Sequence, residues 1–276
     1  LANKVLHLLW NAALLGAFFI QGAFLSAITR DPDKLRRRRV AGMNRFARLF
    51  RRALNLRVTV HGRDILDSLR AEKYLLVANH VSYLDVIVVG SLERLVFITS
   101  VEMGADRIMG PVTRNGGCLF TDRRKFVSLP KEIERFSQCL ADGSKVVLFP
   151  EGTSTNGDAV QAFRGSLFQI AISAQAPVLP MCVRYLKLDG KPVSTANRDT
   201  ICWYGDMTFM PHFWKLMGHK IEVEVTILPP VPFEPRRSRA ELSGLIHQQI
   251  SQVYQSYPPF AESDPDTADN LLSPKE

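Results

Sequence analysis

The chain is poor in cysteine, short of acid, and lacks the glycine patterns of several common enzyme classes. Its 276 residues include four cysteines, Cys118, Cys139, Cys182 and Cys202, with no C-x-x-C pair. That spacing argues against a zinc finger, a dithiol redox centre and a disulfide framework. Three of the four lie beside strand-like apolar runs and read as buried, reduced thiols, in keeping with a reducing, cytosol-facing compartment. No G-x-S-x-G occurs, which argues against a serine nucleophile on a strand-to-helix elbow. No G-x-G-x-x-G or G-x-x-x-x-G-K occurs, so neither a dinucleotide fingerprint nor a phosphate loop is present. No His, Cys and acid cluster has metal-ligand spacing, so no metal and no cofactor is expected. Acid is outnumbered, 27 residues against 35 basic ones, giving a net charge of +8 and a pI near 9.5. Such an excess suits nucleic acid, anionic lipid or a phosphorylated substrate, and its location decides among them.

The basic residues gather near the front. Val5 to Ile28 is largely apolar, broken by His7, Asn11 and Gln21, and is long enough to cross a bilayer. Eleven Lys or Arg follow between Arg30 and Arg57, including Arg36 to Arg39, whereas only Lys4 precedes. The positive-inside bias then puts the bulk of the protein at the cytoplasmic face of a membrane. A cleaved signal peptide fits less well, because the charge lies on the wrong flank. A buried core helix, or one that enters the interface without crossing, remains open. Leu35, Val40, Met43, Phe46, Phe50 and Leu54 recur at helical spacing, with Arg37, Arg38, Arg45, Arg48, Arg51 and Arg52 between them. This predicts a basic amphipathic helix of interfacial type. It favours lipid over nucleic acid as the partner, with a basic face docked on the domain as the plainer alternative.

From Arg57 onward, β-rich and helical runs alternate. Strands are expected at Arg57–His61, Tyr74–Ala78, Leu95–Thr99, Lys145–Phe149, Val178–Tyr185 and Ile221–Leu228. Helices are expected at Tyr83–Ser91, Ser128–Leu140, Phe163–Ser173 and Arg239–Tyr254. The alternation predicts a single α/β domain, residues 57–257, with a mixed, largely parallel sheet flanked by helices. It is preceded by the membrane-associated helical segment 1–56. Residues 187–219 read as an insertion or long loop, and 258–276 as a disordered polar tail.

The residues able to do chemistry sit where apolar strands end, which is where α/β folds build sites. Asn79-His80-Val81-Ser82-Tyr83-Leu84-Asp85 follows Tyr74–Ala78, and Phe149-Pro150-Glu151-Gly152-Thr153 follows Val146–Leu148. A carboxylate beside an imidazole fixes its tautomer and stabilises the imidazolium formed when the ring takes a proton. On a straight helix, positions five apart point about 140° away from each other. His80 and Asp85 therefore meet only if His80 lies in the turn before a helix and Asp85 in its first turn, with Ser82 as the expected N-cap. The pattern H-x-x-x-x-D alone is a weak signal, and His219 with Glu224 has the same separation but falls at the start of an alternating strand. Arg123, after Gly117 and Phe120, can grip a phosphate bidentately, or form a plain surface salt bridge. Glu151 and Gly152 offer a carboxylate and a closely approachable backbone, or simply end a strand. Arg164 supplies a second cation.

Together these segments resemble the glycerolipid acyltransferase family, over about Tyr74 to Tyr185. Asn79, His80, Ser82 and Asp85 match its N-H-x-S-x-x-D motif. Gly117, Phe120 and Arg123 match G-x-x-F-x-x-R, Phe149 to Thr153 match F-P-E-G-T, and Val178-Leu179-Pro180 matches the apolar-Pro block. The resemblance implies direct acyl transfer from acyl-CoA or acyl-carrier protein, as co-substrate, to the free hydroxyl of a lysoglycerolipid. His80 would deprotonate the hydroxyl and Asp85 would orient His80. Arg123, Glu151, Gly152 and Arg164 would hold the head group, with Asn79, Ser82 and Thr153 as further substrate-binding positions. Membrane lipids are the implied partners. Phosphatidate-forming members often carry arginine after F-P-E-G-T, where this chain has Ser154-Thr155-Asn156-Gly157. Lysophosphatidic acid is the leading acceptor. Another lysophospholipid, a non-catalytic lipid-binding role and a hydrolase using the same histidine are the alternatives.

Overall fold

The computed structural model describes residues 2–122, 124 and 127–260. Two helices come first, α1 (Ala2–Ile28) and α2 (Pro32–Ala53). Asp31 caps α2 by accepting from the Lys34 amide at 2.7 Å, and Pro32 occupies the first helical turn, where its missing N–H costs nothing. The helices run antiparallel along their length. His7 Nδ1 lies 3.2 Å from the Ala53 carbonyl, Phe18 meets Phe46 edge-on, and Arg39 donates to Ser26 at 2.8 Å.

The remainder alternates as expected. In chain order come β1 (Leu56–His61), α3 (Arg63–Ser68), β2 (Leu75–Ala78), α4 (Leu84–Leu92), β3 (Val96–Ser100), α5 (Val101–Ala105), α6 (Met109–Asn115) and β4 (Leu119–Thr121). Then follow α7 (Leu129–Ala141), β5 (Val146–Leu148), α8 (Gln169–Ser173), β6 (Val178–Leu188), β7 (Lys191–Pro192), α9 (Phe209–Leu216), β8 (Ile221–Ile227) and α10 (Arg239–Ser256). The eight strands form one sheet in the order β1-β8-β6-β2-β5-β3-β4, with β7 beside β6. Neighbours along this order are parallel except β6 with β8, and β7 is also antiparallel to β6. The expected mixed, largely parallel sheet is therefore present. Central strands β2 and β5 are buried on both faces, which is why they read as unbroken apolar runs.

Alternate side chains of β2 feed two cores. Leu76 and Ala78 join α4, through Leu84, Val88 and Val89, on one face of the sheet. Leu75 and Val77 join α7, α8 and α10, through Phe136, Ile170 and Ile246, on the other. Behind α4 lies α2, and behind α2 lies α1.

Three expectations need correction. The apolar face of α2 does not meet lipid. It is covered by α1 and α4, with Val40 and Ala47 buried and Asn44 donating to the Gly90 carbonyl at 2.8 Å, so segment 1–56 is docked on the domain. Residues 187–219 are not one loop. β6 continues to Leu188, α9 follows, and Ile201, Cys202, Leu216 and Met217 enter the core. The helix expected over Phe163–Ser173 is a 3₁₀ turn, Gly165–Phe168, leading into the shorter α8.

Of the expected tail, residues 261–276 lie outside the described residues, but Phe260 is buried. Arg184 on β6 holds it. Its guanidinium lies 4.4 Å from the Tyr254 ring and 4.1 Å from that of Phe260. It donates to the carbonyls of Gly157, at 3.1 Å, and Pro258, at 2.8 Å. This buried cation is satisfied by carbonyls and ring faces, with no carboxylate partner among the described residues. Arg184→Met keeps the bulk but removes the donor to both carbonyls and the cation from both rings, leaving Gly157 only the Tyr254 hydroxyl at 2.6 Å. It is expected to cost about 2–4 kcal/mol, read as a lower urea midpoint with an unchanged slope.

Candidate active site

The site forms where β2 and β5 end side by side. Their parallel register pairs Val77 with Leu148. Three residues further along each chain, His80 and Glu151 are thereby brought together. Glu151 Oε1 accepts the His80 amide at 2.6 Å and Oε2 accepts the Gln161 amide at 2.8 Å. Asn79 continues the sheet with its side chain. It donates to the Val183 carbonyl at 2.9 Å and accepts the Val183 amide at 2.8 Å, as a ladder residue would.

His80 lies in the turn before α4, and Asp85 is the second residue of that helix, the geometry that five-residue spacing requires. His80 Nδ1 is 2.8 Å from Asp85 Oδ2. The same oxygen accepts the amides of Val81, at 2.7 Å, and Ser82, at 3.0 Å. Asp85 Oδ1 accepts the Tyr185 hydroxyl at 2.7 Å. The carboxylate is fully buried, and its charge is compensated by these donors alone among the described contacts. With Nδ1 as the donor to Asp85, the tautomer leaves the Nε2 lone pair free. The imidazole stacks on Phe149, with centroids 4.3 Å apart and planes at 16°, and its side chain keeps 18% exposure. The His80–Asp85 unit can therefore act as a general base at a partly exposed rim. His219 and Glu224 do not meet: His219 pairs with Asp189, and Glu224 with His61 and Tyr257.

A cavity of about 280 Å³ opens beside Phe149. Ile98, Leu129, Leu148 and Leu167 give it apolar walls, and Thr121, Asp122, Gly152, Arg164 and Ser166 give it a polar side. Gly152 has φ +77°, and a Cβ there would come within 2.9 Å of Arg164 Nε. The glycine thus gives room to the Arg164 guanidinium, which is exposed and has no ion-pair partner among the described residues. The Arg164 amide closes the loop onto the Pro150 carbonyl at 2.9 Å. Arg123 lies outside the described residues.

Several residues expected at the substrate are braces. Asn79 is spent on β6, and both oxygens of Glu151 are taken by backbone amides. Ser82 does not cap α4, since its buried hydroxyl has no partner among the described residues and Asp85 takes up the Val81 and Ser82 amides instead. Thr153 is exposed and its hydroxyl contacts the Ser154 carbonyl at 3.3 Å. Ser154, the residue that follows the F-P-E-G-T segment, turns inward to the Trp203 carbonyl, and the Thr155 amide bonds the His80 carbonyl at 3.1 Å. Gly117, with φ +78°, lets α2 approach, since a Cβ would meet Val40 at 3.2 Å and the Arg36 carbonyl at 3.3 Å. Tyr185 was not legible as a site residue, because nothing local marks a strand tyrosine as the partner of an aspartate a hundred positions away. The cysteines are free, and burial pushes the Cys118, Cys182 and Cys202 thiols up to about 12, which makes them inert.

Burial pushes the Glu151 carboxyl up to about 7, with Asp85 acting in the same sense and the two amides and His80 opposing. The folded value lies above that of an unfolded glutamate, so folding favours the protonated form. That contribution is complete below about pH 4 and is lost as pH rises through about 7, a change of at most about 3 kcal/mol. Glu151→Gln cannot ionise but gives up one amide contact. In urea unfolding it should be the less stable protein at pH 5, and the gap to wild type should narrow by pH 8.

The Acyltransferase family model matches residues 57–184. The lyso-ornithine lipid O-acyltransferase of Rhizobium meliloti (strain 1021) is 34% identical over 208 residues, covering 72% of this chain and 70% of that protein. The protein of that name from Pseudomonas aeruginosa is 32% identical over 177 residues, covering 64% of this chain and 66% of its own length. The 1-acyl-sn-glycerol-3-phosphate acyltransferase of Neisseria gonorrhoeae is 26% identical over 180 residues, covering 65% and 68%. In fold, the chain is similar to the crystal structure of the 1-acyl-sn-glycerophosphate acyltransferase PlsC from Thermotoga maritima. The TM-score is 0.64 at 21% identity, over 92% of this chain and 95% of that one. The α/β sheet, the imidazole and carboxylate at its strand ends, and these relatives lead to one assignment: the chain belongs to the Acyltransferase family and is an acyltransferase.

Proposed function

We propose that this acyltransferase moves a fatty acyl group from acyl-CoA or acyl-carrier protein to the free hydroxyl of a lyso-ornithine lipid. The observation that carries the chemistry is the buried Asp85 bound to His80 Nδ1, which leaves Nε2 free at the rim. In this reading, Nε2 takes the proton of the acceptor hydroxyl as its oxygen attacks the thioester carbonyl. The tetrahedral intermediate then expels the thiolate, which recovers the proton from the imidazolium. Asp85 stabilises that imidazolium, and no acyl-enzyme forms.

Two facts support the acceptor. The more similar relatives reported above carry that name, at 34% and 32% identity. In addition, Ser154 is turned into the fold where an arginine would add charge, so Arg164 is the cation that the described residues bring to the cavity. One guanidinium matches a carboxylate bidentately. Lysophosphatidic acid is the second reading, favoured by the relatives at 26% identity and by Arg123, which would provide a second cation for a phosphate.

Purified full-length protein, given each acceptor with each thioester donor and read by mass spectrometry, tests this. A preferred O-acylated ornithine lipid is expected. Preferential acylation of lysophosphatidic acid selects the second reading, and fatty acid release without acceptor overturns transfer. His80→Ala should lower kcat by about 10²–10⁴.

We further propose that the enzyme reaches its acceptor by laying α1 in one leaflet. α1 is long and apolar enough to cross a membrane, but it packs along the Arg-rich α2 over its whole length. Crossing would carry that charge into hydrocarbon, at a cost of several kcal/mol. Its outward face exposes Leu6, Leu9, Trp10, Ile20 and Phe24, as an interfacial helix would. Changing Leu6, Leu9, Trp10 and Phe24 to Ser should abolish co-sedimentation with anionic vesicles without moving Tm by more than a few degrees. Unchanged vesicle binding would put the membrane contact elsewhere.

A further inference from the structure

Asp85 divides its two oxygens unequally. Oδ2 takes the His80 ring and the Val81 and Ser82 amides, whereas Oδ1 has Tyr185 as its described partner. Tyr185 is buried, and it faces the same core as Val183, which holds Asn79. The β6–β8 register shifts between Tyr185 and Lys187, a local irregularity of the kind that re-aims side chains near sites. On the opposite side of the strand, Arg184 is occupied by Tyr254 and Phe260.

We infer that Tyr185 is a positioning residue, holding Asp85 in rotation so that Oδ2 stays on the His80 ring; this rests on the proposed role of His80 as base. The terminal torsion of an aspartate is soft, so a carboxylate bound through one oxygen can pivot. A neutral donor suits the place. It stabilises the anion and leaves His80 as the group that gains when a positive charge forms, whereas a lysine or arginine would compete for the carboxylate. The titratable groups around Asp85 are His80 and Glu151 from the strand-end loops, Tyr185 on β6 and Cys202 before α9, with Tyr83 beside Tyr185. Burial raises the phenols of Tyr83 and Tyr185 and the thiol of Cys202, so these three remain neutral across the working pH range.

The test uses full-length Tyr185→Phe, with oleoyl-CoA as donor and lyso-ornithine lipid and lysophosphatidic acid as acceptors. Without the hydroxyl, Asp85 is held through Oδ2 alone and can turn away from the ring, so the base is misplaced while the substrate contacts are untouched. kcat should fall about 5- to 50-fold, with both KM values within about twofold. The double variant with Asp85→Asn should be no slower than Asp85→Asn alone. An unchanged kcat, a loss carried by KM, or losses that multiply in the double variant would overturn the inference. If Tyr185→Phe does not fold, 4-methylphenylalanine at position 185 fills the same space without a donor, and kcat should fall by the same factor of about 5 to 50; a wild-type kcat there again overturns it. His80→Ala, run alongside, separates the two readings: retained activity there refutes the base itself, not merely the role of Tyr185.

Discussion

The structure around the site depends on satisfying one buried negative charge. Asp85 has no lysine or arginine beside it in the described contacts, so hydrogen-bond donors must come from three places: the turn after β2, the His80 ring, and Tyr185 on β6. Each donor fixes something else. The two amides shape the turn that starts α4, the ring bond selects the tautomer, and the phenol ties the helix to the sheet. A buried carboxylate that lost these partners would cost several kcal/mol, so the arrangement is held together by the penalty for disturbing it.

Glu151 repeats this logic one strand away. It joins the backbone of the His80 turn to that of the loop running from Pro150 to Arg164. The ends of β2 and β5 thus move as a unit, and Phe149 sets the imidazole plane against the cavity wall. A motif that looks like a set of substrate contacts is in large part a set of braces. Little of it faces the cavity directly, and Arg164 is the charged side chain that does so without an ion-pair partner among the described residues.

The helical front of the chain shows the same economy of contacts. α2 spends its apolar face on α1 and α4, so its arginines are carried on a helix fixed to the domain. Gly117, from the segment expected to grip phosphate through Arg123, is needed where α2 crosses closely. The proposed membrane face and the site are therefore parts of one packed body, which constrains how the site meets a lipid surface.

Much of the fold was legible in the residues themselves. Both-face burial made β2, β5 and most of β6 visible as apolar runs, and the five-residue interval between His80 and Asp85 demanded the turn-then-helix junction that is found. Other features were not legible, because they depend on strand order. That Asn79 would pair with Val183, that Glu151 would accept the His80 amide, and that Tyr185 would reach Asp85 all follow from β2 lying between β5 and β6. The amphipathic pattern of α2 states that an apolar face exists, but not whether lipid or protein covers it. Local sequence determines what a side chain can offer. Only the tertiary structure decides which partner takes it, since a buried polar group binds whatever donor or acceptor the fold brings within about 3 Å.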